Sequence, residues 1–146
     1  MEELSRRRAF VSLVLDSSTT LAWIFGDETT EAIRQLFEEV ADNGAVVPSL
    51  WRLEIANSLT TAVRRGRIDA AYRDAAFADL TVLDIATDQH TDSQAWRETL
   101  ALADRFGLTL YDAAYLELAQ RRRLPLATLD RQLREAAIKA GTRTLG

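Results

Sequence analysis

The chain has 146 residues, of which 47% are hydrophobic, and this is enough for one globular domain with a buried core. It contains no cysteine, which excludes disulfides, thiolate metal sites and cysteine nucleophiles. The formal net charge of −4 argues against a domain that holds nucleic acid by bulk positive charge, but it does not exclude an enzyme that screens phosphate with metal ions.

Short apolar strands alternate with helices along the chain. The two-sided apolar run at 10–15 is typical of a buried parallel strand, and a hydroxyl side chain in 17–19 can cap the helix after it. Charged residues 1–9 are expected to form a flexible segment ahead of a single domain at 10–146. In chain order, the predicted elements are a strand at 10–15, helices at 18–25 and 28–44, a strand at 45–47, helices at 50–65 and 68–80, a strand at 81–86, helices at 91–105 and 112–122, a strand at 124–128, a helix at 131–140 and an edge strand at 142–145.

This alternation predicts an α/β fold, namely a three-layer α/β/α sandwich around a mostly parallel sheet of four to five strands. In such sheets, ligands bind beyond the carboxyl ends of the strands, at the point where the strand order reverses. If the first and fourth strands are neighbours across that point, the residues that follow them project into one crevice.

Four acidic residues interrupt or end stretches that are otherwise predicted to be buried. Asp16 follows the first strand and Asp130 follows the fourth. Glu54 and Asp112 lie early in helices that would begin at the same edge of the sheet. An ionised carboxylate in such surroundings is costly unless it is paired or coordinates a metal. The set therefore predicts a cation site at the carboxyl edge of the sheet.

Each of these residues also has a structural explanation. Asp16 and Asp130 can cap the helices that follow them, and Asp112 can interact with a helix dipole, which is worth only about 0.3–1 kcal/mol. Glu54 can belong to a solvated polar stripe that continues through Asn57. These explanations are independent of one another, whereas a single metal site accounts for all four residues.

The four residues occur in the motifs VLDSS, LEIAN, YDAAYLELA and ATLD, and their order and spacing resemble the PIN-domain ribonucleases. Within that family, the chain is similar to the VapC-type toxins of bacterial toxin–antitoxin pairs over residues 10–145. The resemblance implies a parallel sheet between helices and a catalytic site that binds Mg²⁺ or Mn²⁺ through four carboxylates. Those carboxylates belong to Asp16, Glu54, Asp112 and Asp130.

Two polar residues and one departure from the family pattern refine this prediction. Asn57 lies one helical turn after Glu54, and the Thr128 hydroxyl can orient a carboxylate or a water molecule on the metal. Some family members carry an acidic residue at the position of Gln132. Its absence here predicts one well-made metal position and a second position that binds a metal weakly or only with RNA present.

The predicted chemistry is endonucleolytic cleavage of RNA by water that a metal ion activates. It requires no histidine, and His90, the only one, is expected at the surface, far in sequence from the acidic motifs. Contacts to RNA are predicted for four arginines near helix ends, with solvated helix termini as the alternative. These arginines are Arg64, Arg65, Arg67 and Arg121. Four aromatic residues are expected in the core or, alternatively, in a groove for a partner or RNA bases: Trp23, Phe25, Trp51 and Trp96.

The residues after the first strand argue against two other functions of the same fold class. A phosphoacceptor receiver domain requires adjacent acidic residues after the first strand, and a haloacid-dehalogenase-type phosphatase requires a second Asp where Ser18 stands. No Gly-rich phosphate loop is present. A different metal-dependent phosphohydrolase and a catalytically silent binding module of the PIN fold stay open.

The resemblance also implies partners and a location. It implies a cognate antitoxin that blocks the site, a homodimer, and structured RNA such as tRNA as the substrate. A cytoplasmic location without membrane attachment is expected, because no apolar run is long enough to span a bilayer and the first ten residues lack a signal-peptide core.

Overall fold

Five short strands form one parallel sheet in the computed structural model, which describes residues 12–146. The strand order is β3-β2-β1-β4-β5, and every pairing between neighbours is parallel. The predicted α/β fold is confirmed, while the expectation for residues 1–9 lies outside the described part of the chain. The strands are β1 (Val14–Leu15), β2 (Ala45–Val47), β3 (Ile85–Thr87), β4 (Leu126–Ala127) and β5 (Thr144–Leu145).

Helices flank the sheet on both sides. Successive side chains of a strand point to opposite faces, and both Val14 and Leu15 are fully buried, so both faces of the central strand are covered. No helix within residues 12–146 combines the length and apolarity needed to cross a membrane. Over the same residues, the helices are α1 (Ser17–Ile24), α2 (Glu31–Asn43), α3 (Trp51–Arg64), α4 (Ala70–Val82), α5 (Thr91–Gln94), α6 (Glu98–Phe106), α7 (Leu110–Arg122) and α8 (Arg131–Lys139), with a 3₁₀ turn at Gly26–Glu28.

The strand order reverses between β1 and β4. From β1 the chain adds β2 and then β3 on one side, whereas β4 and β5 lie on the other side. Val14 pairs with Leu126, and the main-chain N–H of Asp16 donates to the carbonyl oxygen of Ala127 at 3.0 Å. The residues that follow β1 and β4 therefore meet at one edge, which is where open parallel sheets bind their ligands.

Three local predictions differ from the structure. The segment 81–86 was predicted as a strand, but Thr81 and Val82 end α4 and the strand begins at Ile85. The Thr81 hydroxyl donates to the carbonyl oxygen of Phe77 at 2.7 Å, so this β-branched residue bonds within the helix. The predicted helix at 91–105 is broken into α5 and α6, and the N-cap position of α1 belongs to Asp16 rather than to a hydroxyl residue.

A buried ion-pair cluster connects the end of β3 with α7. Asp88 is buried, and its carboxylate accepts hydrogen bonds from Arg121 at 2.7 and 3.1 Å and from Arg122 at 3.2 Å. Arg121 also donates to the buried Glu117 at 2.7 and 3.1 Å. Burial acts to raise the pKa of Asp88, but the hydrogen bonds and charge of Arg121 outweigh it and the pKa is lowered.

Asp88→Asn should lower the free energy of unfolding at neutral pH by roughly 2–4 kcal/mol, because it removes the carboxylate that two arginines share. The folded-state pKa of Asp88 lies below its unfolded value, so the stabilisation is present above about pH 4 and is lost as the pH falls through the folded-state pKa. Urea unfolding of both proteins at a series of pH values measures the difference, which should shrink in acid.

The matched control for this measurement is Asp104→Asn, which neutralises an exposed carboxylate on α6. It should change the free energy of unfolding by less than about 0.5 kcal/mol. A destabilisation by Asp88→Asn that stays constant down to the acid limit would contradict the ion-pair explanation.

Candidate active site

Asp16 is buried at the carboxyl edge of the sheet, directly after β1, and is held by neutral hydroxyl groups. Its side chain is only 3% exposed. Thr128 Oγ1 donates to Asp16 Oδ2 at 2.6 Å, and Ser18 Oγ donates to the same oxygen at 2.8 Å. Ser17 Oγ lies 3.3 Å from Oδ1. Burial, and to a lesser extent the charge of Asp130, raises the pKa of Asp16 in spite of these hydrogen bonds.

Asp130 occupies the N-cap position of α8, so it does cap that helix, as the sequence suggested. Its Oδ1 accepts a hydrogen bond from the main-chain N–H of Leu133 at 2.8 Å. The main-chain N–H of Asp130 donates in turn to Thr128 Oγ1 at 3.0 Å. Because Thr128 accepts from Asp130 and donates to Asp16, one buried hydroxyl orients the segments after β1 and β4 relative to each other.

Glu54 projects from the first turn of α3 and is held by a tyrosine on α7. The Tyr115 hydroxyl donates a short hydrogen bond to Glu54 Oε1, and Tyr115 is fully buried. Burial raises the pKa of Glu54, and the charges of Asp16 and Asp112 raise it further. Burial and the hydrogen bond to Glu54 also raise the pKa of Tyr115, so the phenol keeps its proton as a donor.

Asp112 lies in the first turn of α7. Its main-chain N–H donates to Thr109 Oγ1 at 3.1 Å, so Thr109 is the residue that caps this helix. Burial raises the pKa of Asp112 to about 6, with further contributions from the negative charges of Asp130 and Asp16. The carboxylate is half-buried in a region that already carries negative charge.

The four carboxylates lie near enough to one another for their charges to interact, and they are called the acidic group below. The charge of Asp130 raises the pKa of Asp16, and the charges of Asp16 and Asp112 raise the pKa of Glu54. The charges of Asp130 and Asp16 raise the pKa of Asp112. Like charges in a partly desolvated crevice repel one another, and a bound cation relieves that repulsion. The oxygen donors fit a hard dication such as Mg²⁺ or Mn²⁺.

The acidic group does not enclose a metal position as it stands. Within residues 12–146, no three or more Asp, Glu or His side chains already have the arrangement of a metal site. The carboxylates come from four separate elements, α3, α7 and the ends of β1 and β4. The side chains would thus have to move in order to surround a cation. The carboxylates repel one another, and a bound ion would remove that repulsion and allow them to approach.

The predicted arginines lie in three different surroundings. Arg64 and Arg65 are exposed at the end of α3, roughly 15 Å along the helix axis from Glu54. Arg67 pairs with acidic residues of the 3₁₀ turn and stacks on Phe25 at 3.8 Å from the ring centroid. Arg121 belongs to the buried Asp88 cluster described above.

The remaining predicted residues have simple positions. Asn57 is exposed one turn after Glu54, and His90 is exposed as expected. Gln132 donates through its side-chain amide to the carbonyl oxygen of Gly107 at 2.8 Å, which connects the start of α8 with the turn between α6 and α7. A neutral side chain with this contact does not add to the acidic group.

The aromatic side chains divide between core and surface. Trp23 stacks on Phe37 at 4.4 Å between ring centroids, and Phe25 and Trp51 are buried, whereas Trp96 is 88% exposed. The Nε1 atom of Trp51 has no hydrogen-bond partner in the described part of the chain.

Sequence reasoning missed three hydroxyl residues of the site. Ser17 and Ser18 were interpreted as helix caps, but their side chains bind the Asp16 carboxylate. Tyr115 received no role, although its position three residues after Asp112 puts both on one face of a helix. That spacing is the signal that could have identified it.

Comparisons with known proteins identify the family of the chain. The sequence model of the PIN-domain family matches residues 13–139. The chain is 30% identical over 125 residues to Ribonuclease VapC3 of Pyrobaculum aerophilum, an alignment that spans 86% of this chain and 94% of that protein. The crystal structure of PAE2754 from Pyrobaculum aerophilum superposes with a TM-score of 0.67 and 25% sequence identity, covering 92% of this chain and 83% of that one. The chain therefore belongs to the PIN-domain family, among its VapC-type members.

Proposed function

We propose that this protein is a Mg²⁺- or Mn²⁺-dependent endoribonuclease that acts as the toxin of a toxin–antitoxin pair. The observation that carries the proposal is the meeting of four carboxylates from four elements at the reversal of strand order. Membership of the PIN-domain family and similarity to Ribonuclease VapC3 support RNA as the substrate. The proposed catalytic residues and metal ligands are Asp16, Glu54, Asp112 and Asp130.

When bound, a divalent cation would neutralise phosphate charge and activate water for attack on the phosphodiester. The residues of the chain prepare the site for it. Thr128 and Ser18 orient Asp16, and Tyr115 orients Glu54. The capping bond that Leu133 donates to Asp130 Oδ1 fixes that carboxylate through one oxygen. Since every one of these donors is neutral, none of them supplies an opposite charge that would compete with the cation for the carboxylates.

The protein's partners follow from the same proposal. A cognate antitoxin would block the crevice, and structured RNA such as tRNA is the proposed substrate of a homodimer. Three of the predicted RNA contacts are exposed, namely Arg64, Arg65 and Arg67, although Arg67 also pairs with acidic residues of the 3₁₀ turn and Arg121 belongs to the Asp88 cluster. Asn57, exposed beside Glu54, is a further candidate contact.

Replacing Asp16 or Asp112 by Asn should reduce RNA cleavage by at least about 100-fold, because each change removes a charged ligand and with it several kcal/mol of transition-state stabilisation. Cleavage of a fluorescent RNA in Mg²⁺ or Mn²⁺ measures the loss, and a chelator should abolish wild-type activity. Asp104→Asn is the matched control and should keep full activity. Undiminished cleavage by Asp112→Asn would refute the assignment of the site.

Thermal unfolding should reveal the cation site without any substrate. In a chelator at neutral pH, Asp112→Asn should unfold at a higher temperature than wild type, because it removes one of the repelling carboxylates. Saturating Mn²⁺ should raise the wild-type transition by roughly 5–10 °C, as expected for a ligand that binds only the native state. Mn²⁺ should raise the unfolding temperature of Asp112→Asn by much less. An equal rise in both proteins would place Mn²⁺ elsewhere.

Expression in bacteria tests the toxin role. Induction of the wild-type gene should arrest growth and leave cleaved RNA, whereas Asp112→Asn should do neither. Coexpression of an adjacent small gene that encodes an antitoxin should restore growth. Growth curves and primer extension on total RNA provide the two measurements, and identical growth of both strains would speak against a toxin.

A further inference from the structure

Tyr115 is a large, fully buried side chain that contacts the acidic group directly. It is 0% exposed, and its hydroxyl donates to Glu54 Oε1. A buried phenol requires a hydrogen-bond partner. Its partner here is a carboxylate on a different helix, so the bond joins α7 to the first turn of α3.

We infer that Tyr115 is a positioning residue, which holds Glu54 where that carboxylate can reach a cation bound by Asp112 and Asp16. The inference rests on the proposed function, because it assigns to Tyr115 a part in assembling that site. It concerns a residue that would touch neither the RNA nor the metal ion.

The geometry of α7 supports this role. Asp112 and Tyr115 are three residues apart and lie on the same face of the helix. Helix α7 therefore contributes the carboxylate of Asp112 directly and holds the carboxylate of Glu54 through the Tyr115 hydroxyl. A free glutamate side chain samples several rotamers, and ordering it costs entropy when a ligand binds. The bond from Tyr115 restricts Glu54 before the cation arrives.

The chemistry of the donor also supports it. Two arginines neutralise the buried carboxylate of Asp88, whereas Glu54 accepts a hydrogen bond from the neutral hydroxyl of Tyr115. A neutral donor orients the carboxylate through one oxygen without cancelling its charge. Ser17 and Thr128 also hold Asp16 without supplying an opposite charge, here through both of its oxygens, so positioning by hydroxyl groups is common to both carboxylates.

A double-mutant cycle with Mn²⁺ as the probe tests the inference on the full chain. Tyr115→Phe should weaken Mn²⁺ binding by about 10-fold, the usual effect of losing a residue that orients a metal ligand. Glu54→Gln keeps the acceptor for Tyr115 but removes the charge. In that background, Tyr115→Phe should change the affinity by less than about 2-fold, because its effect passes through Glu54. Isothermal titration calorimetry measures all four affinities.

Tyr72→Phe is the matched control. Its hydroxyl donates to the main-chain oxygen of Ile24 at 2.5 Å, away from the acidic group, and its loss should leave Mn²⁺ affinity unchanged. If Tyr115→Phe does not fold, Glu54→Asp tests the same claim, since the shorter side chain keeps its charge but cannot reach Tyr115 from the same position. This variant should also bind Mn²⁺ about 10-fold more weakly, and wild-type affinity would overturn the inference.

The outcomes separate the inference from the function on which it rests. Saturable Mn²⁺ binding by wild type, with wild-type affinity in Tyr115→Phe, would overturn the positioning role and leave the nuclease proposal standing. If Tyr115→Phe weakened Mn²⁺ binding equally in the Glu54→Gln background, the positioning role would also be overturned, because the loss would then be a general structural effect. Absence of Mn²⁺ binding by wild type would overturn both.

Discussion

The hydrogen bond between Thr128 and Asp16 joins the two strand ends at which the sheet reverses its order, and the rest of the crevice is arranged around it. Parallel pairing of β1 with β4 brings these residues side by side. The same Thr128 hydroxyl accepts from the main chain of Asp130, so one buried group fixes two acidic segments. Helices α3 and α7 then bring Glu54 and Asp112 to this fixed base.

The molecule buries carboxylates in two different ways. At Asp88, two arginines supply opposite charge, and the pKa of the carboxyl is lowered. At Asp16, hydroxyl groups supply hydrogen bonds without charge, and burial raises the pKa. The first arrangement is electrostatically complete and stabilises the fold. The second leaves negative charge unbalanced, which costs stability and creates the demand for a cation.

The sequence allowed the sheet and the position of the acidic group to be predicted, since strand and helix patterns alternate and acidic residues end two buried runs. The spacing of Tyr115 from Asp112 indicates that the two share a helix face, but the contact of Tyr115 with Glu54 could not be predicted, because Glu54 lies on another helix and only the folded packing brings the two together. The strand at 81–86 was misplaced because the β-branched Thr81 favours a strand locally, whereas the helix continues through it. The roles of Arg67 and Arg121 depend on acidic partners distant in sequence, which no local pattern reveals.

The distribution of charge bears on the order of events in the proposed reaction. The chain carries a net charge of −4, four of its carboxylates lie at the proposed site, and two of the arginines that were predicted to contact RNA form ion pairs. A phosphodiester that approached the empty crevice would be repelled, because backbone phosphate is itself anionic. Under the proposed function, the cation is therefore needed to admit the substrate as well as to activate water. Occupation of the carboxylates by the cation must come before productive binding of RNA.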